Sequence, residues 1–501
     1  MAKASAEVEQ LHFLLIPLMS QSHIIPLTDF AKLLARQGPV VSIITTPLNA
    51  IRYKSIVDHA SRSNLKIQLI PIEFPGKECG LPEGCENMDA LPSPNLARHF
   101  FDACSLLQDP IEILAKKLVP KPSCIVSTSA LPWTQSLAQN LSIPRYVFHT
   151  VSCFTLLCSD ILSKTKVHEE VSSDSDTFFL PDTPHRIEFT KSQLPESMRK
   201  NSDDLKSVLE HMKQVESQAR GYLINSFEEL DPWYVEHHKK IYKNFWCIGP
   251  VCLSHREMEE KIGRGNKTAV DENYCLKWLD SKEPRSVIYT CFGSLCRLTP
   301  TQLKEIGRGL EASNRPFIWI IRDSDYSREV DKWLKEDKYE ERIKGIVIKG
   351  WAPQVLILSH SAIGGFLTHC GWNSTMEGIC AGVPMITWPM FAEQFYNEKF
   401  VVNVLRIGVR VGVKEGMKFG EEENKDYLVK GEKIAAAVNE LMDDGEEGEA
   451  IRKTARELSE KAKRAIEEGG SSYVNTTLLI QDVLQQKGQL KVNCFSVGLE
   501  Y

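Results

Sequence analysis

The stretch "WAPQVLILSHSAIGGFLTHCGWNSTMEGICAGVPMITWPMFAEQ", residues 351–394, has the densest pattern of functional residue types in this chain of 501 residues. Within it, an apolar run typical of a buried strand ends at 368–370 and is followed by Gly371. A helix is predicted to begin directly afterwards, at Asn373 or Ser374. A strand that turns straight into a helix is the repeating unit of a parallel sheet covered by helices. The stretch therefore predicts an α/β fold.

The start of that helix also predicts an anion site, because free backbone N–H groups and the positive end of the helix dipole lie there. His369, Asn373 and Ser374 add side-chain donors at the same place. The expected ligand is a phosphate or a diphosphate. A second loop, "CFGSLC" at 291–296, follows another strand and offers Ser294 for the other side of a diphosphate. A lone Gly-Ser turn is a weak signal.

Ser374 and Glu377 also fit a purely structural pattern. In a capping box, Ser374 would cap the helix and Glu377 would reach back to its first N–H. In the ligand-binding alternative, Glu377 accepts the two hydroxyls of a ribose while Trp351 stacks on a base. Glu393 and Gln394 end the stretch with acceptors and donors suited to sugar hydroxyls. The residues alone leave both alternatives open, and the two are compatible.

The same alternation of strand and helix signals extends outward through both halves of the chain. Strands of the first half are predicted at 12–18, 40–47, 66–74, 123–129 and 145–150, and helices at 24–38 and 48–60. A second series of strands begins near residue 285, and the chain closes with helical segments. Two such series predict two doubly wound domains that face each other across a cleft, with ligands beyond the C-terminal ends of the strands.

A polar, charge-rich segment divides the two series. It spans 254–273 and is the best linker candidate. The predicted organisation is an N-terminal domain over 1–253, this linker, a C-terminal domain over 274–470, and a final helix with a tail over 471–501.

Composition and charge exclude several functions. With 42% apolar and 25% charged residues, the chain has the balance of a soluble globular protein. Its net charge of −6 leaves no basic excess to neutralise phosphates, so nucleic acid is not an expected partner. No apolar run approaches the roughly 18 residues of a membrane span. The 14 cysteines are scattered, without zinc spacing, and are expected to be reduced thiols of a cytoplasmic protein without a metal site.

The segment "IPLMSQSHIIP", residues 16–26, raises a separate question about one histidine. His23 follows the first predicted strand and is expected in the loop at its C-terminal end, where α/β proteins bind ligands. It is either a catalytic base or a polar residue at the end of a buried strand. The segment alone favours the structural alternative, so the rest of the chain has to decide.

The stretch 351–394 resembles the signature box of plant family-1 UDP-glycosyltransferases, with "WAPQ", "THCGWNS", "GVP" and a terminal Glu-Gln all in register. The resemblance extends over essentially the whole chain. It implies a GT-B fold, in which two Rossmann-like domains face each other and the C-terminal one holds most of the donor. It also implies that the final helix, for which 471–486 is the candidate, crosses back onto the N-terminal domain.

Transferred position by position, the resemblance implies a complete site for a UDP-sugar. Trp351 would stack on uracil with Gln354 beside it, and Glu377 would bind the ribose hydroxyls. The diphosphate would be held by His369, Asn373, Ser374 and Ser294, and the sugar by Trp372, Glu393 and Gln394. A terminal Gln is usual in members that use UDP-glucose, without excluding UDP-galactose. UDP-glucose is therefore the expected co-substrate, with no cofactor and no metal.

By the same resemblance, His23 is the general base. The family places a proline three residues after this histidine, and Pro26 fits, while Ser22 replaces the usual glycine. The histidine would remove a proton from an acceptor hydroxyl as it attacks the anomeric carbon, with inversion and release of UDP. The expected acceptor is a small lipophilic plant metabolite, such as a flavonoid or other phenolic, a triterpenoid or a steroid. The expected state is a monomer.

The sequence departs from the family at the partner of that base. Most relatives have an aspartate where this chain has Thr128, and a carboxylate there would fix the imidazole and stabilise its charged form. Three explanations stay open: an acidic acceptor or another assisting group, slower transfer to an ordinary alcohol, or a protein that binds a nucleotide sugar without efficient turnover. A C-glycosyltransferase is a further alternative. Thr150, at a strand end, either contacts the donor sugar or has no ligand.

Overall fold

The computed structural model describes residues 7–199, 203–255, 257–269, 272–323, 328–417 and 427–497. Its strands are β1 (His12–Ile16), β2 (Val40–Thr45), β3 (Ile67–Pro71), β4 (Cys124–Thr128), β5 (Arg145–His149), β6 (Thr177–Phe179), β7 (Glu188–Thr190), β8 (Gly221–Ile224), β9 (Phe245–Cys247), β10 (Val287–Cys291), β11 (Phe317–Ile321), β12 (Gly345–Lys349), β13 (Ile363–Thr368), β14 (Met385–Thr387) and β15 (Gly408–Arg410).

The α-helices follow the strands closely in the chain. They are α1 (Gln21–Arg36), α2 (Pro47–Arg52), α3 (Lys54–Arg62), α4 (Ala97–Ser105), α5 (Gln108–Ala115), α6 (Trp133–Asn140), α7 (Cys153–Thr165), α8 (Glu196–Arg199), α9 (Asp203–Glu216), α10 (Pro232–Ile241), α11 (Met258–Ile262), α12 (Glu272–Asp280), α13 (Pro300–Ala312), α14 (Arg328–Glu336), α15 (Tyr339–Arg342), α16 (Gln354–Leu358), α17 (Trp372–Ala381), α18 (Gln394–Lys399), α19 (Gly431–Leu441), α20 (Glu446–Ile466) and α21 (Ser471–Val497). Among the described residues, no helix combines the length and the apolar character that crossing a bilayer needs.

The chain forms two compact units. The first comprises the described residues within Met1–Val151, Asp203–Glu260 and Arg464–Tyr501, and the second those within Ser152–Ser202 and Lys261–Lys463. The predicted N-terminal domain ran without interruption over 1–253, whereas residues 152–199 belong to the second unit. Each unit is therefore built from segments that are separated in the sequence. Packing in three dimensions determines this arrangement, and composition along the chain does not reveal it.

The first unit contains a parallel sheet whose described strands are ordered β3-β2-β1-β4-β5-β8-β9. Its centre is β1, in which all five residues are buried, because helices cover both faces of a parallel sheet. Ile16 pairs with Ser127, and Thr128 pairs with Phe148. The C-terminal ends of β1, β4 and β5 therefore meet at one edge, which is where α/β sheets bind ligands.

The second unit contains a parallel sheet whose described strands are ordered β12-β11-β10-β13-β14-β15, and a small antiparallel pair, β6 and β7. Cys291 at the end of β10 pairs with Thr368 at the end of β13. The loops that carry Ser294 and His369 therefore leave the sheet side by side. β11 flanks β10 on its other side and delivers Arg322 to the same edge.

His23 lies in the first turn of α1, not in a loop. The helix begins at Gln21, three residues before the predicted start, and its cap is Ser20. Pro26 lies inside this helix, and the hydroxyl of Thr28 donates to the carbonyl oxygens of Ile24 and Ile25. The expectation of a loop was wrong because the small polar residues before His23 are accommodated in the first helical turn, where backbone N–H groups have no helical partner.

The predicted linker, 254–273, contains the division between the units but is not a solvated chain. His255 is buried and its Nε2 lies 2.5 Å from Oδ1 of buried Asp29. Nζ of Lys32 donates to Glu260 at 3.0 Å, and both side chains are buried. Charged residues favoured a linker here, whereas the structure pairs His255 and Glu260 with buried residues of the first unit and Arg264 with Glu377 of the second.

The last described helix, α21, belongs to the first unit. Leu479, Ile480 and Val483 enter the buried core that includes β1 and α1. The guanidinium of Arg220 donates to Asp482, with NH2 to Oδ1 at 2.6 Å. The segment 471–486, singled out from the sequence, therefore forms part of the core of this unit.

Candidate functional site

The imidazole of His369 lies in a narrow slot between two glycines of the second unit. A Cβ atom placed on Gly293 would lie 2.6 Å from Cε1 and Nε2 of the ring, and one on Gly371 would also meet Nε2. Gly293 additionally has φ of +72°, in the left-handed region. A side chain at either position would displace the ring. The structure thus brings the "CFGSLC" loop against the turn that follows β13, the two loops that the sequence suggested as sides of one anion site.

His369 is neutral at ordinary pH. Its side chain is only 9% exposed, and burial lowers its pKa to about 4, with the positive charge of Arg322 acting in the same direction. Among the described residues, Nδ1 of His369 has no hydrogen-bond partner. A neutral imidazole offers one N–H donor and one acceptor.

Arg322 is a cation beside this slot that sequence reasoning missed. It directly follows β11, and its NH1 group donates to the carbonyl oxygen of Ser294. It lies close enough to His369 to depress the pKa of that imidazole. Its position at the end of a predicted strand, "FIWIIRD", was the signal that could have revealed it, because strand ends of parallel sheets carry ligand-binding residues.

The helix that follows His369 begins earlier than predicted, and the capping box does not form. Gly371 occupies the N-cap, without a side-chain cap, and the helix starts at Trp372. Ser374 is therefore its third residue, and its Oγ accepts a hydrogen bond from Nε2 of Gln354 at 3.0 Å. Glu377 is likewise bound to other side chains. The capping-box alternative was wrong because a glycine, whose φ of −61° and ψ of 139° suit an N-cap, precedes both residues.

The carboxylate of Glu377 is held by two side chains. Oε1 accepts from NH1 of Arg264 at 2.5 Å, and Oε2 accepts from Nε2 of Gln354 at 2.7 Å. Gln354 in turn accepts from the hydroxyl of Tyr289 at 3.3 Å. Gln354 therefore links Glu377 to Ser374, and the predicted nucleoside and diphosphate residues form one connected group. Arg264 was missed because it lies in the segment taken for a linker.

The two tryptophans of the signature stretch differ in their environment. Trp351 follows β12, is partly exposed, and has an indole Nε1 without a hydrogen-bond partner among the described residues. Trp372 is only 2% exposed, and its ring packs 6.1 Å from that of Phe400. Trp351 therefore retains a surface that a ring can stack on, whereas the side chain of Trp372 fills the core and leaves its backbone for other contacts.

The backbone N–H of Trp372 donates to the carboxylate of Glu393, whose pKa is nevertheless raised by burial. Gln394 is 4% exposed, and its Oε1 accepts from the backbone N–H groups of Met390 at 2.8 Å and Phe391 at 3.1 Å. The side-chain oxygen of Gln394 thus closes the turn before α18. Glu393 and Gln394, two of the three residues of this stretch predicted to contact the sugar, are therefore held by backbone groups.

His23, Thr128 and Thr150 belong to the first unit. The hydroxyl oxygen of Thr128, which is fully buried, accepts from the backbone N–H of Leu18 at 3.0 Å. Nδ1 of His23 is buried and has no hydrogen-bond partner among the described residues. Thr128 therefore does not orient the imidazole. Burial, together with the neighbouring His149, lowers the pKa of His23 to about 4.

Thr150 directly follows β5 and is partly exposed at the same edge of the sheet. The residue before it, His149, was not singled out from the sequence. Its Nε2 lies 2.9 Å from Oε1 of Glu216, the last residue of α9. This pair places a carboxylate beside the last residue of β5, a strand that lies two positions from β1 in the sheet.

Comparison with known proteins identifies the family to which the chain is similar. The family model described as UDP-glucoronosyl and UDP-glucosyl transferase matches residues 263–419. UDP-glycosyltransferase 73C3 of Arabidopsis thaliana is 49% identical over 95% of this chain and 96% of its own length. UDP-glycosyltransferase 73C12 of Barbarea vulgaris is 46% identical over 95% of this chain and 97% of its own length.

Solved structures show the same architecture. The Glycyrrhiza uralensis UGT73P12 complex with glycyrrhetinic acid 3-O-monoglucuronide is 37% identical, covers 98% of this chain and 99% of its own, and superposes with a TM-score of 0.90. Arabidopsis thaliana UGT89C1 with UDP-L-rhamnose is 30% identical, covers 94% and 99%, and gives a TM-score of 0.71.

The two parallel α/β sheets and these likenesses define the GT-B class, with two Rossmann-like domains, which confirms the predicted fold. The chain belongs to the plant family-1 UDP-glycosyltransferases, as the signature stretch predicted. It is an enzyme that transfers a sugar from a UDP-sugar donor to small plant metabolites.

Proposed function

We propose that this protein transfers glucose from UDP-glucose to a hydroxyl group of a small lipophilic plant metabolite, with inversion at the anomeric carbon. The observation that carries the proposal is the connected group formed by Glu377, Gln354 and Ser374 beside the His369 slot. It combines a carboxylate with neutral donors, which is the set of groups that a nucleoside diphosphate requires.

In this proposal the second unit binds the donor through its nucleotide. Trp351 stacks on the uracil ring, and the carboxylate of Glu377 accepts the ribose hydroxyls. His369, Asn373, Ser374 and Ser294 donate hydrogen bonds to the diphosphate. The start of α17 adds backbone N–H groups and its dipole to the same anion. Arg322, next to His369, contributes a positive charge. This charge stabilises the negative charge that develops on the departing UDP as the glycosidic bond breaks.

Glucose is the proposed sugar because the signature stretch ends in Gln394. Its side-chain oxygen is bound to the backbone of the preceding turn, so its NH2 group is the part proposed to meet the sugar. Glu393 accepts from the hydroxyls on the same side. Thr150 is proposed as an additional contact to the sugar.

The proposed base is His23. Its imidazole takes the proton of the acceptor hydroxyl while the acceptor oxygen bonds to the anomeric carbon, and the bond from that carbon to the diphosphate oxygen breaks. The products are the glycoside and UDP, which leaves with the bonding electrons. The acceptors proposed are flavonoids or other phenolics, triterpenoids and steroids, and the protein is proposed to act as a cytoplasmic monomer without a metal or cofactor.

A second function, binding of a nucleotide sugar without efficient turnover, is favoured by one observation. The hydroxyl of Thr128 is engaged by Leu18, and the pKa of His23 is lowered to about 4 by burial. A base with so low a pKa and without a carboxylate partner has only a weak affinity for the proton of an acceptor hydroxyl. Transfer to an activated aromatic carbon is the other alternative, since such acceptors need less help from a base.

The test is incubation of the purified protein with UDP-glucose and a mixed set of phenols, triterpenes and steroids. Release of UDP together with a product heavier than the acceptor by one added hexose supports the proposal. An acid-labile product is an O-glycoside, whereas an acid-stable one indicates C-linkage. His23→Ala should abolish transfer to alcohols while leaving UDP binding nearly unchanged.

UDP binding without product across the whole acceptor set would support the non-catalytic alternative. Loss of UDP binding in His23→Ala would assign the histidine to the fold. UDP-galactose and UDP-glucuronic acid, offered in parallel with UDP-glucose, test the choice of sugar. A faster reaction with either one would overturn the assignment of glucose.

A further inference from the structure

Arg264 and Glu377 form a buried ion pair inside the second unit. NH1 of Arg264 donates to Oε1 of Glu377 at 2.5 Å, and the two side chains are 8% and 5% exposed. A charge taken out of water is costly unless it is paired and hydrogen-bonded. The arginine therefore supplies a charge partner for the buried carboxylate of Glu377.

The contacts of Glu377 leave part of its carboxylate available. An ionised carboxylate has about four lone-pair sites. Arg264 occupies one on Oε1 and Gln354 occupies one on Oε2. The described residues leave one site on each oxygen, and two acceptor sites on one carboxylate match the two neighbouring hydroxyl groups of a ribose.

The segment that carries Arg264 also contacts Trp351, the residue proposed to stack on the uracil ring. The backbone N–H of Ala269 donates to the carbonyl oxygen of Trp351 at 2.8 Å. The segment is therefore attached at two points, to Glu377 through a side chain and to Trp351 through the backbone. Both points lie where the nucleoside is proposed to bind, which a solvated linker would not require.

We propose that Arg264 is a positioning residue of the donor site, which holds the carboxylate of Glu377 oriented so that its remaining lone pairs accept the two ribose hydroxyls. This inference rests on the proposed donor site. The planar guanidinium suits the role because its donors are fixed in direction, unlike the rotating ammonium of a lysine. Arg264 acts through Glu377 and is not proposed to touch the reacting atoms.

The test is isothermal titration calorimetry of UDP and 2′-deoxy-UDP with the full-length protein. Wild type should bind UDP more tightly, because only UDP offers both hydroxyls to Glu377. Arg264→Gln should weaken UDP by about tenfold, the effect of one charged hydrogen bond, and 2′-deoxy-UDP by much less. The preference for the ribonucleotide should therefore shrink, which a merely structural role of Arg264 would not produce.

Arg308→Gln is the matched control, because it removes an exposed arginine from a carboxylate pair, with Glu305, away from the site. It should leave both affinities and the preference unchanged. Arg264→Lys keeps the charge and covers the case in which Arg264→Gln does not fold. It should bind UDP with a reduced preference over 2′-deoxy-UDP.

Equal losses of UDP and 2′-deoxy-UDP affinity in Arg264→Gln would overturn the inference, since they indicate general support of the site. Tighter UDP binding would overturn it too, because Arg264 would then compete with the ribose. If Arg264→Lys prefers UDP over 2′-deoxy-UDP as strongly as wild type does, the inference is overturned as well. A wild-type protein that does not bind UDP would instead refute the proposed donor site, and the inference with it.

Discussion

The hydroxyl oxygen of Thr128 accepts a hydrogen bond from the backbone N–H of Leu18 at 3.0 Å, directly after β1. This bond ties the end of β4 to the segment that leads into α1, where His23 lies. Among the described residues this hydroxyl makes no hydrogen bond to His23, whose Nδ1 has no partner. His23 therefore lacks both the charge and the orienting hydrogen bond of the usual partner.

Thr128→Asp should raise turnover on weakly acidic alcohols by roughly tenfold, and on phenols by clearly less. One carboxylate oxygen can accept from Leu18, as the threonine does, while the other stabilises the imidazolium of His23. Phenols gain less because they lose their proton more readily. The measurement is kcat for one alcohol and one phenol with saturating UDP-glucose.

Thr128→Asn is the control for this prediction, because it supplies a similar shape and a hydrogen-bond acceptor without the charge. It should give no comparable gain. If Thr128→Asp leaves both turnover numbers unchanged, the explanation of the weakened base through Thr128 is incorrect.

The pH dependence of kcat/KM should report the depressed pKa of His23. Burial lowers this pKa from 6.5 to about 4, so the imidazole is in its neutral, basic form at any pH above that value. Activity should therefore stay level on the acidic side down to about pH 5 and decline only towards pH 4. A fall already centred near pH 6.5 would show that His23 titrates like an exposed histidine.

Stability should be followed in the same pH series. The unfolded imidazole takes up a proton near pH 6.5 and the folded one only near pH 4, so the unfolded state binds more protons between these values. The free energy of unfolding should consequently decrease as the pH falls through this window. Tryptophan fluorescence at each pH separates loss of fold from loss of the base, and Thr128→Asp should move the activity limb to higher pH.

Gly293→Ala should weaken UDP binding by about tenfold or more, because the new methyl group would meet the ring of His369 and the residue would be held at positive φ. The matched control is Gly412→Ala, at φ of +92° with no atom within 4 Å of the added carbon. It carries the backbone strain without the contact. Calorimetry with UDP and thermal unfolding of both variants measure the difference, and equal UDP affinities would refute the role assigned to the slot.

Glu260→Ala should destabilise the protein by about 3 kcal/mol, because it leaves the buried ammonium of Lys32 without its carboxylate. The neighbouring residue provides the control. Glu259 pairs with Arg62 at 3.2 Å, but both side chains are largely exposed, so Glu259→Ala should change stability very little. Chemical denaturation of the three proteins tests this contrast. A similar small effect for both variants would mean that the buried charges near His255 do not stabilise the first unit.

Local patterns in the sequence predicted the strands well where apolar runs and glycine residues determine their positions. The strands ending at Ile16, Thr128, His149 and Thr368 all lie within their predicted ranges, because buried parallel strands are continuous apolar runs. The signature stretch predicted the family and the fold class, and both are confirmed.

Patterns failed where a polar residue had two possible environments. The Ser-x-x-Glu pattern of Ser374 and Glu377 suggested a capping box, whereas Gln354 and Arg264 bind those side chains. The first turn of α1 was taken for a loop because its small polar residues suit both. For Ser374 and Glu377 the outcome depends on groups distant in sequence, which a local window does not contain.

The sequence by itself determined the α/β class, the family and the set of residues proposed to bind the donor, because these depend on residue types in a fixed order. Only the tertiary structure decided which of them are neutral, buried or engaged: His369 confined by Gly293, Thr128 bound to Leu18, and Glu377 paired with Arg264. The physical reason is that desolvation and hydrogen bonding arise from neighbours in space, and the neighbours of Glu377 come from segments more than 20 residues away in the chain.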